Sequence, residues 1–142
     1  MSNDNAFLAQ IPKDSKIVPE MQILNLAYIG DAVFELMVRT HIVNTNRSAT
    51  NQLHKLSKSY VCASAQAEMY KALTNVLTEA EMAVMKRGRN AKSQSKAKNA
   101  SVVDYRYATG MEALFGYLYL KNETVRLMEL FEVCLNSTLK ER

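Results

Sequence analysis

The apolar residues of this chain recur mostly at intervals of three and four, the spacing that places side chains on one face of an α-helix. Few breakers interrupt this period, since 142 residues contain four glycines and two prolines, and no stretch alternates apolar and polar residues as a strand would. The period predicts six helices, at about 20–43, a short one capped by Ser48 or Thr50, about 60–76, Thr78 to Gly88, about 101–121 and about 123–139. We therefore predict one all-α domain, a helical bundle over residues 19–142 that follows an irregular arm at residues 1–18.

Local signals support several of these helix ends. Thr78 and Glu81 have the spacing of a capping box, and Ser101 precedes Asp104 in the same way. Gly88 stands where a helix C-cap is expected, and Asn122 interrupts the period before the last helix.

Two of the predicted helices carry an acid within an apolar sector. Asp31 shares its sector with Ala27, Phe34 and Val38, and Glu112 shares its own with Ala108 and Phe115. Both acids are therefore expected to point toward packed surface. A single acid in such a sector is a solvated or capping group in about half of cases and otherwise belongs to a salt bridge or a functional site, but two instances favour a site. Two carboxylates brought together form a site for a hard divalent metal such as Mg²⁺.

Glycines lie beside these acids, inside the predicted helices. Gly30 directly precedes Asp31, Gly110 precedes Glu112 by two residues, and Gly116 follows it by one turn. Because glycine within a helix costs about 1 kcal/mol relative to alanine, these positions indicate a close approach of another backbone or of a ligand.

A basic, polar segment is predicted as a loop at residues 86–101. Six of the 18 basic residues fall there, and no acid occurs between Glu81 and Asp104. Charge runs are usually solvated loops, but this one leads directly into the helix of Glu112, where a nucleic-acid backbone is expected beside a metal site. The segment lacks aromatic residues for base stacking, which favours a duplex over a single strand. The candidate RNA-binding residues are Lys86, Arg87, Arg89, Asn90, Lys92, Lys96 and Lys98.

Other kinds of site find little support. Cys62 and Cys134 are interpreted as small buried hydrophobic residues of a reducing compartment, and His41 and His54 are isolated on helices. No phosphate-cradling glycine loop or serine nucleophile motif occurs. The chain shows no signal peptide or membrane span, so a cytoplasmic protein is expected.

Two motifs resemble a known family. The segment Ile29-Gly30-Asp31-Ala32-Val33 resembles the signature helix of ribonuclease III endonucleases, and Glu112-Ala113-Leu114-Phe115-Gly116 resembles their second catalytic helix. This resemblance implies a homodimeric, all-helical endonuclease that cleaves double-stranded RNA with Mg²⁺, or with Mn²⁺ as a substitute. It implies that Asp31 and Glu112 are the catalytic residues and the metal ligands.

The chain departs from the long members of this family in three ways. Ala27 and Thr109 stand where those proteins have two further acids, and no double-stranded-RNA-binding domain follows before Arg142. In these departures the chain is similar to the short bacterial branch of the family. That similarity implies maturation of the ends of precursor large-subunit (23S) ribosomal RNA, with a large-subunit ribosomal protein as a further partner. The number of metals per site stays open.

Two acids near the motifs have ordinary interpretations. Glu35 is expected to form an ion pair on the helix surface, and Asp104 to belong to a helix cap.

Two other functions remain as alternatives. Ribonuclease III-like domains exist that have lost their acids and act as RNA-binding scaffolds, and a helical DNA-binding regulator is also conceivable. The presence of both Asp31 and Glu112 favours the enzyme over the scaffold. The absence of a good recognition helix disfavours the regulator.

Overall fold

The computed structural model describes residues 11–46, 49–92 and 101–139 of the chain. A single 3₁₀ turn at Val18–Glu20 precedes the helices α1 (Ile23–Thr45), α2 (Thr50–Val61), α3 (Ala63–Leu73), α4 (Glu79–Asn90), α5 (Val102–Leu120) and α6 (Thr124–Leu139). No strand occurs within the described ranges, which confirms the prediction of an all-α domain. None of these helices is both long and apolar enough to cross a membrane.

Helix α5 forms the centre of the bundle. It packs against α1, α3, α4 and α6, and it is apolar on most of its circumference because it is covered on several sides. The ring of Phe115 on α5 meets Phe34 of α1 edge to face, with 5.3 Å between the ring centroids. Phe34 in turn meets Phe131 of α6 at 5.9 Å, so three helices share one aromatic contact.

Glycines allow two helices to cross α5 at very short range. A Cβ at Gly30 of α1 would overlap the backbone carbonyl of Glu112, and a Cβ at Gly116 would overlap the carbonyl of Leu26. On the other side, a Cβ at Gly88 of α4 would lie 2.8 Å from the Cα of Gly110. The close backbone approach predicted from the glycines is therefore confirmed.

The predicted helix starts are also present. Thr78 and Glu81 form both hydrogen bonds of a capping box, with Thr78 N donating to Glu81 Oε1 at 2.9 Å. The Ser101 hydroxyl accepts from the backbone N–H of Asp104 at 2.9 Å. Asn122 adopts a positive φ of 60° and separates α5 from α6.

Three local predictions are wrong. The segment 60–76 does not form one helix from Ser59, because the chain breaks at Cys62, whose extended backbone ends α2 and caps α3. Cys62 is exposed rather than buried. Gly88 does not end α4, which continues to Asn90, so the first five residues of the predicted 86–101 loop are helical. Gly88 is instead the point at which α4 contacts α5.

The segment before α1 contacts the bundle through Lys13 and Val18. The Lys13 ammonium lies over the ring of Tyr119, 4.4 Å from its centroid, and donates to Asn122 Oδ1 at 3.0 Å. Val18 is buried in a small apolar cluster with Leu26, Ala27 and Ala113. Residues 1–10 of the predicted arm lie outside the described ranges.

Candidate functional site

The crossing of α1 and α5 brings Asp31 and Glu112 together. Gly30, which directly precedes Asp31, packs on the backbone carbonyl of Glu112 itself. The two acids therefore lie on either side of a backbone contact, and the side chain of Asp31 is close enough to interact with the carboxyl of Glu112.

The burial of the two acids differs from the prediction. Asp31 is exposed and Glu112 is only partly buried, so the expectation that both point toward packed surface is wrong for Asp31. The reason is that Gly30, and not Asp31, faces α5. Asp31 lies at the rim of the crossing, beside the buried side chains of Ala27 and Phe34.

Within the described ranges, the acid pair has no compensating cation. Burial and the neighbouring charge of Asp31 raise the pKa of Glu112 to about 8, although the side chain of Gln66 acts in the opposite direction. In the part of the chain that the structure describes, no lysine, arginine or histidine forms an ion pair with either acid. Two adjacent carboxylates without a cation are costly when both are ionised, so the site favours a bound positive charge.

The donor set fits a divalent cation that keeps much of its water. Among the described residues, no third His, Cys, Asp or Glu joins the pair. Ala27 is buried, and the Thr109 hydroxyl donates to the carbonyl of Tyr105 at 2.9 Å, so neither replaces a missing acid. Mg²⁺ is often bound through one or two carboxylates, with water completing its octahedron. Asp31 and Glu112 would hold the metal.

One residue of this region was missed by the sequence analysis. Gln66 of α3 is buried, and its side chain faces the carboxyl of Glu112. A signal was present, because Gln66 precedes Met69 and Leu73 by three and seven residues, which places it on the apolar face of the helix.

Two other acids have the structural roles expected of them. Glu35 accepts a hydrogen bond from Nη2 of Arg39 at 2.6 Å on the surface of α1. Asp104 lies in the first turn of α5, where its backbone N–H is capped by Ser101.

Most of the candidate RNA-binding residues lie at the C-terminal end of α4. Lys86, Arg87 and Asn90 are exposed there, Arg89 is partly exposed, and Lys92 follows the helix. The contact of α4 with Gly110 places the backbone of Arg89 beside α5, within one turn of Glu112. Lys96 and Lys98 lie outside the described residues.

The remaining candidates add no second site. His41 contacts the rings of Tyr60 and Phe131 edge to face, and His54 is exposed. Cys134 is buried as expected, and burial raises the pKa of its thiol well above the usual range.

The fold and the acid pair define a class of protein. The sequence pattern of the ribonuclease III domain family matches residues 24–123, so the chain belongs to this family. It is a ribonuclease III-type RNA endonuclease, and both motifs of the sequence analysis fall within the matched range.

Curated relatives specify the branch of the family. The chain is 48% identical over 118 residues to a Mini-ribonuclease 3 of Clostridium tetani, covering 82% of this chain and 78% of that protein. It is 49% identical over 109 residues to a Mini-ribonuclease 3 of Brevibacillus brevis, covering 77% and 81%. These matches confirm the similarity to the short bacterial branch.

A solved structure shows the same fold. A crystal structure of a Fusobacterium nucleatum protein superposes with a TM-score of 0.75 at 28% sequence identity. The match covers 87% of this chain and 98% of that protein.

Proposed function

We propose that this protein is a divalent-metal-dependent endoribonuclease that cleaves double-stranded RNA, with Asp31 and Glu112 as its metal ligands and catalytic residues. The observation that carries the proposal is the juxtaposition of these two carboxylates without a cation from the described chain. Membership in the ribonuclease III family supports the same reaction.

The chemistry follows from the charge of the pair. In the absence of a cation, the raised pKa of Glu112 keeps a proton on the pair through neutral pH. A divalent cation, when bound, supplies a Lewis acid for the phosphodiester and lowers the pKa of a water molecule that attacks phosphorus. Asp31 is exposed and would hold the metal on the side from which the RNA approaches. Glu112 is partly buried and would hold the metal from the side of the protein interior. Hydrolysis leaves a 5′-phosphate on one product.

The first experiment is cleavage of a structured RNA duplex in Mg²⁺, with EDTA as the metal-free arm. Asp31→Asn and Glu112→Gln are each expected to lower the cleavage rate by about 1,000-fold or more, since each removes a ligand charge and preserves volume. Mn²⁺ is expected to replace Mg²⁺. The measurement is single-turnover cleavage with labelled RNA.

Glu35→Gln is the matched control. Glu35 lies one turn from Asp31 on the same helix and pairs with Arg39 on the helix surface, so its loss is expected to leave cleavage within about twofold. Wild-type cleavage by Asp31→Asn would refute the proposal. RNA binding without cleavage, equal in wild type and Glu112→Gln, would establish the scaffold instead.

The proposed substrate is the duplex formed by the ends of precursor large-subunit (23S) ribosomal RNA, acted on in the cytoplasm. This proposal rests on the similarity to the short bacterial branch of the family. It predicts faster cleavage of that precursor stem than of a random duplex of equal length. A large-subunit ribosomal protein is proposed as an accessory partner, and adding large-subunit proteins to the precursor stem is expected to increase the rate. Equal rates on both duplexes would refute the substrate, and an unchanged rate would refute the partner.

We further propose that the basic end of α4 binds the RNA backbone. Arg87, Arg89 and Lys92 carry positive charge at or near the surface, next to the helix that holds Glu112. Replacing all three by Gln is expected to weaken duplex binding and to reduce the slope of log Kd against log salt by about 2–3, because fewer counterions are released. The same change at Lys55 and Lys58 of α2 is the control. An unchanged slope in the triple variant would show that these residues do not contact phosphate.

The active form is proposed to be a homodimer that joins through α1. Leu24, Tyr28 and Leu36 lie in one sector of this helix, and the Tyr28 side chain is 83% exposed, which is unusual for an aromatic residue. Two copies would present two acid pairs to one duplex, one for each strand. Light scattering is expected to give twice the mass of the chain, reduced to a monomer by Tyr28→Asp. A fully active monomer would refute the dimer.

A further inference from the structure

Gln66 has a buried amide nitrogen whose hydrogen-bonding capacity is unused. The residue is only 2% exposed, and its Nε2 has no hydrogen-bond partner in the structure. Leaving a buried amide donor unpaired costs about 1–3 kcal/mol, so such groups are rare and call for a physical reason. The same side chain faces the carboxyl of Glu112.

The surroundings of Gln66 prevent the amide from turning to water. Its neighbours on α3, Ala67 and Met69, are buried, and α3 packs along α5. The acceptor that the Gln66 side chain faces is the Glu112 carboxyl. A carboxylate oxygen is a strong acceptor for an amide N–H.

Tyr70 provides an internal comparison. It lies one turn after Gln66 on α3, is equally buried, and its hydroxyl is also without a hydrogen-bond partner. Its ring, however, packs against Tyr107, with 4.7 Å between the centroids, and against Gly110. Two unpartnered polar groups thus lie on one face of α3, and of these only Gln66 faces the acid pair.

We propose that Gln66 is a positioning residue that donates a hydrogen bond from Nε2 to one carboxylate oxygen of Glu112, leaving the other oxygen free for the metal. The proposal deepens and rests on the proposed function, since it assigns Gln66 to the same site. It explains why this chain has an amide at a buried position where an aliphatic side chain would pack without an unpaired donor. A hydrogen bond to a metal-binding side chain fixes the orientation of that side chain and raises the affinity of the site for the metal.

The test compares Gln66→Met with Tyr70→Phe. Each variant removes one buried unpartnered group from α3 and nearly preserves the volume of the side chain. Metal binding is measured directly by Mn²⁺ titration followed by electron paramagnetic resonance, and cleavage is measured as a function of Mg²⁺ concentration. Urea unfolding of each variant is measured first, and Gln66→Leu serves if Gln66→Met does not fold.

Gln66→Met is expected to raise both the Mn²⁺ dissociation constant and the half-saturating Mg²⁺ concentration by about 10-fold. The rate at saturating Mg²⁺ is expected to change less than the half-saturating concentration. Tyr70→Phe is expected to change neither metal constant by more than about twofold. Equal metal constants in Gln66→Met and the wild type would overturn the proposal.

The two readouts separate this proposal from the proposed function. If the wild type binds Mn²⁺ but cleaves no RNA, the nuclease assignment fails, and the binding comparison still tests Gln66. If the wild type cleaves RNA and Gln66→Met binds metal normally, the nuclease assignment stands and the role of Gln66 is refuted.

Discussion

Glu81 is buried and Glu112 is partly buried on neighbouring helices, and the charges around the two carboxylates are of opposite sign. Glu81 of α4 is held by Arg126 of α6 through two hydrogen bonds of 2.8 Å, one to each carboxylate oxygen. These bonds, together with the capping contacts of Thr78, lower the pKa of Glu81. Glu112 of α5 instead lies beside Asp31, and its pKa is raised.

The difference separates a structural acid from one that fits a ligand. Glu81 has its cation within the chain, and Arg126 also donates to the carbonyl of Val76 at 2.8 Å, so the pair ties α6 to the start of α4. Glu112 has a second acid where a cation would be expected. A carboxylate that the fold has compensated stabilises the fold, whereas an uncompensated pair costs stability until a cation arrives from solution.

At pH 7, a large effect on stability is expected at the compensated acid. Glu81→Gln leaves the Arg126 guanidinium without its charged partner, and should lower the free energy of unfolding by about 2–3 kcal/mol at pH 7. Arg126 keeps 26% of its side chain exposed, which places the value below that of a fully buried pair. Urea unfolding with circular dichroism measures the change.

The pH dependence of this effect has a definite sign. Because the pKa of Glu81 is lower in the folded state, its contribution is present above the unfolded value of 4.5 and is lost as pH falls through the folded pKa. The wild type and Glu81→Gln should therefore converge in acid. A constant difference from pH 7 down to pH 2 would contradict the interpretation of Glu81 as the ionised partner of Arg126.

An effect of opposite sign is expected at the uncompensated acid. The folded pKa of Glu112 is about 8 and its unfolded value is 4.5, so its contribution to stability is complete below 4.5 and is lost as pH rises toward 8. Glu112→Gln cannot ionise. In EDTA at pH 8.5 it should be more stable than the wild type by roughly 4 kcal/mol, because each pKa unit between 4.5 and 8 is worth about 1.4 kcal/mol, and the difference should vanish near pH 4.5.

Mg²⁺ provides the control for this second prediction. Because the cation compensates the acid pair, it should stabilise the wild type at pH 8.5 by about 1.4 kcal/mol at ten times its dissociation constant, and Glu112→Gln much less. Equal stabilisation of both proteins would indicate that the cation binds elsewhere. Parallel pH profiles for the two proteins would contradict the raised pKa.

Much of the fold could be predicted because its signals are local. The helical period, the capping box of Thr78 and Glu81 and the break at Asn122 each depend on residues a few positions apart. The pairing of Glu81 with Arg126 joins residues 45 positions apart and left no local signal. The sequence predicts a C-cap at Gly88, but a glycine near a helix end is equally compatible with a close helix–helix contact. Only the presence of Gly110 opposite it distinguishes the two.

The two acids of the site could be predicted from the sequence, but the exposure of Asp31 and the position of Gln66 could not. The period of α1 placed Asp31 in an apolar sector, but a helical wheel does not say which part of the sector the neighbouring helix covers. In the structure α5 covers Gly30 and leaves Asp31 at the rim. The burial of Gln66 and its position beside Glu112 depend on how α3 packs along α5, which no local pattern encodes.

The contact between Gly30 and the carbonyl of Glu112 also determines which mutations this protein can accumulate. Since the two acids flank a contact made by backbone atoms, their separation is set by how closely α1 and α5 approach at the glycines. Replacements at Phe34 or Leu114 in the core are expected to change stability more than the spacing of the acids. At Gly30 and Gly116 even a single added methyl group would push α1 away from α5. These two positions, rather than the bulk of the core, are where a lineage that keeps the acid pair has no freedom to vary.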